Sequence, residues 1–309
     1  MQAIREPDAS AGATRVWPQE IAPQRDWWRV LARDLLRSPV VLLSILLLLL
    51  LVVVAVAAPW LAPLNPTRIN VLTTLKPPFW MSGGSTKNLL GTDSLGRDIL
   101  SQLIYGARVS LLVGFTVVIA GGTLGTVLGL VAGYYGGLVD DVIMRIADIQ
   151  LAFPFILMAI TFLAVLGPGL GNVILVLVFG SWMNYARVMR GQVLSLREKE
   201  FIEAAHAIGT RTRSILFRHL LPNALTPIIV IASFSVASTI IAEASLSFLG
   251  LGVRPSTPTW GAMLANGREH ITDSWWLVVI PGVAIMLTVL AINILGDWLR
   301  DRLDPRLRV

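Results

Sequence analysis

Cysteine is absent from this sequence of 309 residues, and histidine occurs only three times. Without cysteine there is no disulfide framework, no thiolate metal site and no cysteine nucleophile. The three histidines stand too far apart along the chain to suggest a metal cluster. They are His206, His219 and His270. The sequence therefore predicts no metal site.

Catalytic motifs are missing as well. There is no Gly-x-x-x-x-Gly-Lys-Ser/Thr phosphate loop, and Lys76, Lys87 and Lys199 lie in no such context. Neither His-Glu-x-x-His nor Gly-x-Ser-x-Gly occurs. An intramembrane aspartyl protease would need two opposed membrane aspartates, and only Asp148 is a candidate. We therefore predict a chain that is not an enzyme and binds no cofactor itself.

Charge is also scarce, at 14% of the residues, whereas 55% of the residues are apolar. The mean hydropathy of +0.71 exceeds what a soluble domain of this length carries. The net charge of +6 comes from short basic clusters beside apolar runs, with no basic domain interleaved with aromatic residues. The composition thus indicates a protein in a lipid bilayer and no nucleic-acid partner.

Six apolar runs are long enough to span a membrane, since a helix needs roughly 20 residues to cross the ~30 Å hydrocarbon core. They lie at about 40–61, 107–132, 147–166, 172–190, 223–249 and 276–296. The sequence therefore predicts an all-α membrane protein with six transmembrane helices. Within the third run, Pro154 can kink the helix.

The basic residues predict the orientation of these helices. With the N-terminus in the cytoplasm, the cytoplasmic side receives six Lys and Arg in 1–39, one in 133–146, seven in 187–222 and four in 297–309. The other side receives seven in all. Because basic residues concentrate in cytoplasmic loops, we expect a multi-pass protein with both termini in the cytoplasm.

The first 106 residues divide into three predicted parts. Residues 1–24 are rich in Pro, Ala and charge and are expected to be disordered. Residues 25–38 place Trp28, Leu31 and Leu35 on one helical face, which predicts an amphipathic helix in the membrane interface, with a solvated linker as the alternative. Residues 39–106 are expected to hold the first transmembrane helix, an uncleaved anchor, and an outer loop.

Small residues form a stripe in the second span. Glycine recurs every four residues along one side of the predicted helix, which lets another helix approach closely. A hinge is the alternative, because glycine also loosens a helix. The stripe consists of Gly121, Gly125, Gly129, Gly133 and Gly137.

Two blocks on the predicted outer side combine glycines with charged or aromatic residues. Residues 90–98 read LGTDSLGRD, and residues 246–253 read LSFLGLGV, followed by TWGAML at 259–264. In the first block Thr92 or Asp93 can cap a turn, Gly96 permits a positive φ, and Arg97 can pair with Asp93 or Asp98. A structural turn is one interpretation of this block, and contact with a substrate is the other.

The predicted cytoplasmic segment 187–222 contains the most informative motif, EAAHAIG at residues 203–209. An apolar stripe at i, i+3, i+4 and i+7 predicts a short helix, with Glu203 off the stripe and Gly209 as a left-handed cap. A second helix can start near Thr210 or Thr212, with Arg211 and Arg213 on its polar sides. The stripe consists of Phe201, Ala204, Ala205 and Ile208.

The segment resembles the EAA loop of bacterial ABC-importer permeases, and RHLLPN at 218–223 resembles the variant found in dipeptide, oligopeptide and nickel permeases. The two outer blocks are similar to signatures of that family. The resemblance, from about residue 27 to the C-terminus, implies the type I importer permease architecture and the second-permease subunit in the bacterial inner membrane. It implies a core at 107–296 and a cytoplasmic tail at 297–309.

The resemblance also implies partners and roles. The expected partners are a second permease subunit, two ATPase subunits that bind ATP and Mg, and an external substrate-binding protein. The EAA helix would be the coupling helix that contacts an ATPase, with Arg211 and Arg213 beside it. The outer blocks would form the docking surface, and the candidates there are Asp93, Arg97, Asp98 and Trp260. The implied substrate is a di- or oligopeptide, and the alternatives are a nickel chelate, glutathione or an oligosaccharide.

Polar residues inside the spans are candidates for the translocation path, because an unpaired charge near the bilayer centre costs about 2.5–3.5 kcal/mol. For Glu243, pairing with Arg108 is the alternative. Met158 with Phe153 and Phe155 can contribute an apolar gate, but for any single one of them core or lipid packing is the favoured role. The polar candidates are Asp148, Asn184, Glu243 and Asn293. A passive channel or membrane scaffold is the alternative function, and such a protein does not need the EAA segment.

Overall fold

The protein is described by a computed structural model that covers residues 35, 38–254 and 256–303. The chain divides into two compact units, Met1–Pro39 and Val40–Val309, and nearly all described residues belong to the second. The predicted tail 1–24 lies outside the described residues. So does the predicted interfacial helix 25–38, apart from Leu35 and Ser38.

The second unit is helical, and no strand forms in the part of the chain that the structure describes. Nine helices are used below. They are α1 (Pro39–Val56), α2 (Ile99–Tyr135), α3 (Gly137–Leu151), α4 (Phe155–Leu166), α5 (Leu170–Arg197), α6 (Glu200–Ala207), α7 (Thr212–Phe248), α8 (Trp260–Gly267) and α9 (Trp276–Leu303). Within α7, residues Ile215–Leu220 form a π-helical turn.

Five of these helices are long and apolar enough to cross a membrane: α1, α2, α5, α7 and α9. The prediction of a single third span at 147–166 needs correction, because the chain bends there by 90° between α3 and α4. Pro154 lacks an N–H and disfavours a helical conformation in the residue before it, so the helix breaks rather than kinks. The fold therefore has five straight spans, or six if α3 and α4 together form one.

The long helices extend beyond the predicted apolar runs. Helix α2 begins at Ile99 rather than near 107, because Asp98 caps it by accepting a 2.8 Å hydrogen bond from the backbone N–H of Ser101. Helix α5 continues to Arg197 and α9 to Leu303. Hydropathy locates the apolar part of a helix, whereas a cap such as Asp98 sets where the helix begins.

Close packing of α2 against α5 organises the fold. An added Cβ at Gly125 would collide with the carbonyl oxygen of Trp182, and one at Gly133 would lie 2.8 Å from Cβ of Val193. The glycine stripe is thus a packing surface from Gly121 to Gly133. Gly137 was wrongly included in it, because α2 ends at Tyr135 and Gly137 begins α3 with open space around it.

Two buried clusters mark opposite ends of α2, which is about 55 Å long. One cluster joins Ile99 at the start of α2 to Trp260 of α8 and Trp276 of α9. The other joins Leu130 near the end of α2 to Ile202 of α6 and to α5 and α7. We call residues 62–98, beside the first cluster, the first loop. Residues 198–211, beside the second cluster, are the connector.

Candidate functional site

The connector is closed by a helix-ending turn. Gly209 has φ +74°, a left-handed conformation that glycine adopts without strain. Its N–H donates to the carbonyl of His206 at 2.9 Å, and the N–H of Thr210 donates to the carbonyl of Ala205 at 3.0 Å. This pair of bonds is the Schellman motif, so the prediction of Gly209 as a left-handed cap is confirmed.

Helix α6 has two apolar faces rather than the single predicted stripe. Ile202 is 1% exposed, and it packs with Ala205 into the cluster shared by α2, α5 and α7. Phe201 and Ile208 are 43% and 82% exposed, and Ala204 lies on the same outer side. The predicted stripe was wrong in joining Ala205 to the outer residues and in missing Ile202. Helical spacing reveals that an apolar stripe exists but does not say against what it packs.

The connector is attached to the membrane helices on both sides. Ile202 contacts the cluster that contains Ile215 and Leu220 from the first turns of α7. The ring of His206 stacks on that of Tyr134, with 6.2 Å between centroids. The second helix starts at Thr212, as the sequence predicted. A displacement of α6 would therefore be transmitted to α2, α5 and α7, because closely packed elements move together.

Arg211 and Arg213 do not lie on the outer face of α6. Both are exposed, and they line a separate pocket beside the start of α7. Glu203 is also exposed, on α6 itself. The structure thus separates an apolar surface on α6 from a basic surface on α7, which the sequence analysis had treated as one.

Two ion pairs join α3 to α5, and the sequence analysis did not predict either of them. Asp140 accepts two hydrogen bonds from the guanidinium of Arg190, each 2.5 Å long. Asp148 pairs with Arg187, and both side chains are about half exposed. Asp148, a candidate for the translocation path, is therefore an ion-paired residue on α3. No local pattern announces these pairs, since their partners lie 39 and 50 residues apart.

Glu243 is fully buried in α7, and its predicted alternative pairing with Arg108 is wrong, because Arg108 points to an exposed surface. One carboxyl oxygen accepts a 2.7 Å hydrogen bond from the hydroxyl of Ser247. The hydroxyls of Ser110 and Thr259 lie beside the same carboxyl group. Glu243 thus belongs to a buried polar cluster that links α2, α7 and the start of α8.

The remaining path candidates lie on three helices. Asn184 is exposed on α5, about one turn before Arg187, and Asn293 is half-buried in α9. Met158 is half-buried and lines a groove of about 580 Å³ at the α3–α4 bend, beside Phe153. Asn184 thus lies near the Asp148–Arg187 pair, whereas Asn293 and Met158 lie on other helices.

The first loop presents a folded turn instead of a set of exposed charges. Asp93 accepts 2.9 Å hydrogen bonds from the backbone N–H groups of Leu95 and Arg97, and a 2.6 Å bond from Nε of Arg97. Asp98 accepts a 2.9 Å bond from the side-chain amide of Asn88. Gly96 has the expected positive φ, +70°. Of the two interpretations offered by the sequence, these contacts describe the structural turn.

The four docking candidates are all buried within the chain: Asp93, Arg97, Asp98 and Trp260. The indole N–H of Trp260 donates to the carbonyl of Leu103 at 3.0 Å, and its ring lies against Gly106. These buried side chains offer little surface to another protein, so docking at these four residues stays a prediction. Their contacts within the chain shape the two predicted outer loops.

In the described part of the chain, no three acidic or histidine side chains converge as metal ligands.

The arrangement of these helices has a counterpart among solved membrane-protein structures. The structure resembles a chain of the MetNI methionine ABC transporter, solved in inward-facing conformations, with a TM-score of 0.54 at 20% identity. The match covers 66% of this chain and 96% of that one. At such low identity the likeness concerns the fold alone.

Sequence comparison identifies the family. Residues 125–309 match the binding-protein-dependent transport system inner membrane component, and residues 26–78 match the N-terminal TM domain of oligopeptide transport permease C. The chain belongs to this family of inner membrane transport components.

Relatives match over nearly their whole length. The di/tripeptide transport system permease protein DppC of Pseudomonas aeruginosa is 43% identical, over 93% of each chain. The dipeptide transport system permease protein DppC of Escherichia coli K12 is also 43% identical, over 94% of this chain and 96% of its own. The chain is thus a multi-pass transport permease subunit, which is a non-enzymatic role.

Proposed function

We propose that this chain is one transmembrane subunit of an ATP-driven importer that moves di- and oligopeptides across the bacterial cytoplasmic membrane. The support for the substrate is the set of relatives named for dipeptide and di/tripeptide transport. The partners in this proposal are a second permease subunit, two ATPase subunits that hydrolyse ATP, and an external substrate-binding protein.

One observation carries the coupling part of the proposal: α6 turns Phe201, Ala204 and Ile208 away from the rest of the chain. An exposed apolar face on an eight-residue helix is unfavourable in water and is typical of a surface that another protein or a membrane covers. The opposite face, with Ile202 and Ala205, is fixed to the transmembrane helices. A groove in an ATPase subunit that receives the outer face could therefore move the helices through the inner one.

The orientation follows from the same proposal. If the connector meets an ATPase, it lies in the cytoplasm, and both chain ends lie on that side. The first loop and the segment around α8 then face outward, where the binding protein delivers its substrate. This agrees with the distribution of basic residues, which favours a cytoplasmic location for segment 187–222.

The transport cycle requires two states of the same helices. ATP binding closes the ATPase subunits, α6 follows, and the membrane subunits open outward; hydrolysis returns them to the inward-open state. Each ligand can shift this equilibrium only by its difference in affinity for the two states. The path residues proposed from the sequence, among them Asn184 and Met158, would contribute to such differences on the exposed sides of α5 and α4.

Purification and reconstitution test the proposal. The tagged chain should be isolated in mild detergent with a second permease and two ATPase subunits, and the complex placed in proteoliposomes with its binding protein. We expect uptake of a labelled dipeptide that depends on ATP and on the binding protein. ATP-driven uptake of a nickel chelate, glutathione or an oligosaccharide in place of peptide would redirect the substrate assignment. Substrate flux through the chain alone without ATP would contradict the importer and favour a channel.

A further inference from the structure

A basic pocket with a volume of about 580 Å³ lies beside the first turns of α7. It has three guanidinium groups, two hydroxyl groups and one aromatic ring in its lining. The lining residues are Thr210, Arg211, Arg213, Ser214, Phe217 and Arg218. We call it the arginine pocket.

The lining residues come from the end of the connector and the start of α7. Thr210 and Arg211 precede the helix, whereas Arg213, Ser214, Phe217 and Arg218 lie in its first turns. Ile215 and Leu220 of the same turns are buried in the cluster beneath the connector. The π-helical turn Ile215–Leu220 lies within this stretch, and such turns often occur at functional sites.

The charge of the pocket is not balanced by the described part of the chain. Arg187 and Arg190 each have an aspartate partner, whereas the guanidinium groups of Arg211, Arg213 and Arg218 have no ion pair or hydrogen bond there. Three exposed cations around one pocket repel one another unless an anion joins them. Guanidinium groups bind phosphate through paired hydrogen bonds, and the hydroxyls of Thr210 and Ser214 add donors.

The position of the pocket points to the membrane as the source of the anion. The apolar stretch of α7 begins near Ala224, about 9 Å of helix beyond Arg218. The headgroup layer on each side of the bilayer is roughly 5–8 Å thick, so the long side chain of Arg218 reaches it. Phe217 is about half exposed in the same pocket. A cationic face with an exposed aromatic ring is typical of protein surfaces that bind anionic lipids.

We propose that the arginine pocket binds the phosphate group of an anionic phospholipid, with Phe217 against the upper part of its acyl chains. This assigns a ligand to Arg211 and Arg213 that is distinct from the ATPase contact proposed for α6. The lipid would fix the depth of the connector relative to the membrane. This lipid would lie next to α6, the helix proposed to move with the ATPase subunit.

Lipid titration of the full chain in detergent, followed by native mass spectrometry, tests the proposal. Phosphatidylglycerol and phosphatidylcholine with the same acyl chains are the probes. We expect preferential binding of phosphatidylglycerol, and a loss of roughly fivefold in affinity for each arginine removed, the equivalent of about 1 kcal/mol. The double variant R213Q/R218Q should therefore lose most of the preference. The lysine variant R213K/R218K should keep the preference, because it keeps the charges. R300Q, which removes an exposed arginine of α9 outside the pocket, is the matched control.

Three results would overturn the proposal. In one, R213Q/R218Q prefers phosphatidylglycerol as strongly as the unchanged chain. In another, inorganic phosphate alone binds at least as tightly as phosphatidylglycerol, which would indicate a site for free phosphate. In the third, the substitutions leave lipid binding intact but weaken co-purification of the ATPase subunits, which would assign the arginines to a protein contact.

Discussion

The first loop and the connector are opposite in construction, although each carries a motif of the same family. In the first loop the charged motif residues Asp93, Arg97 and Asp98 are buried and bonded to one another or to the backbone. In the connector the apolar motif residues Phe201 and Ile208 are exposed, and neither packs into a buried cluster.

The difference separates residues that shape a surface from residues that form it. Burying a charged group is costly unless it is paired, so the paired charges of the first loop are structural. Exposing apolar side chains is unfavourable in water, so those of the connector agree with the contact proposed for the coupling helix. The burial of each motif residue must therefore be known before the residue can be assigned a role.

The largest effect is expected at the cap of α6. Gly209→Pro requires φ near −65° in place of +74° and removes the N–H that bonds to His206. We expect uptake to be abolished while the chain still inserts in the membrane, measured by transport in proteoliposomes and by membrane fractionation. Gly191→Ala, at an open position in α5, is the control and should transport normally. Normal uptake by Gly209→Pro would contradict a rigid connector.

A substitution in the first loop should lower the stability of the chain rather than remove a contact with another protein. Asp93→Ala removes the buried carboxylate that accepts bonds from Nε of Arg97 and from the N–H groups of Leu95 and Arg97, and losing one partner of a buried pair costs about 3–5 kcal/mol. The free energy of unfolding, measured by denaturant titration in detergent, should fall accordingly. Asp273→Ala removes an exposed acidic side chain and should change the free energy of unfolding by less than about 0.5 kcal/mol. Equal stability of the two variants would show that the buried network is not structural.

Two isoleucines of the connector, Ile202 in α6 and Ile208 at its C-terminal cap, sharpen the comparison. Ile202→Ala should lower the free energy of unfolding by about 2–5 kcal/mol, because it opens a cavity in the shared cluster. Ile208→Ala should leave stability within about 0.5 kcal/mol but weaken ATPase binding by roughly tenfold or more, as an interface anchor does. Unfolding and a pull-down with the ATPase subunits distinguish the two effects. A stable Ile202→Ala variant would remove the distinction between the faces.

The smallest effects are expected at the α3–α5 ion pairs. Asp148→Asn breaks a half-exposed pair with Arg187 and should cost about 0–1 kcal/mol. Asp140→Asn weakens a more buried, two-bond pair with Arg190 and should cost more, about 1–3 kcal/mol. Thermal unfolding of the two variants ranks them. The reverse order would indicate that Asp148 has a buried role in another state of the transporter.

The sequence predicted what depends on local chemistry. Apolar run length located the straight spans, and the requirement for a positive φ identified Gly96 and Gly209. It could not predict the 90° bend at Pro154, because a proline within an apolar run is compatible with both a kink and a break. Nor could it predict the Asp140–Arg190 pair or the burial of Ile202. These depend on which segments meet in three dimensions, and composition does not encode that.

The absence of cysteine makes one measurement especially direct. A single Ile208→Cys substitution adds the only thiol of the chain, on the outer face of α6, and Leu72→Cys adds one at an equally exposed position in the first loop. The account predicts that a short bifunctional thiol reagent cross-links position 208, and not position 72, to an ATPase subunit carrying a cysteine in its docking groove. Cross-linking from position 72 but not from 208 would contradict the assignment of the connector as the coupling element.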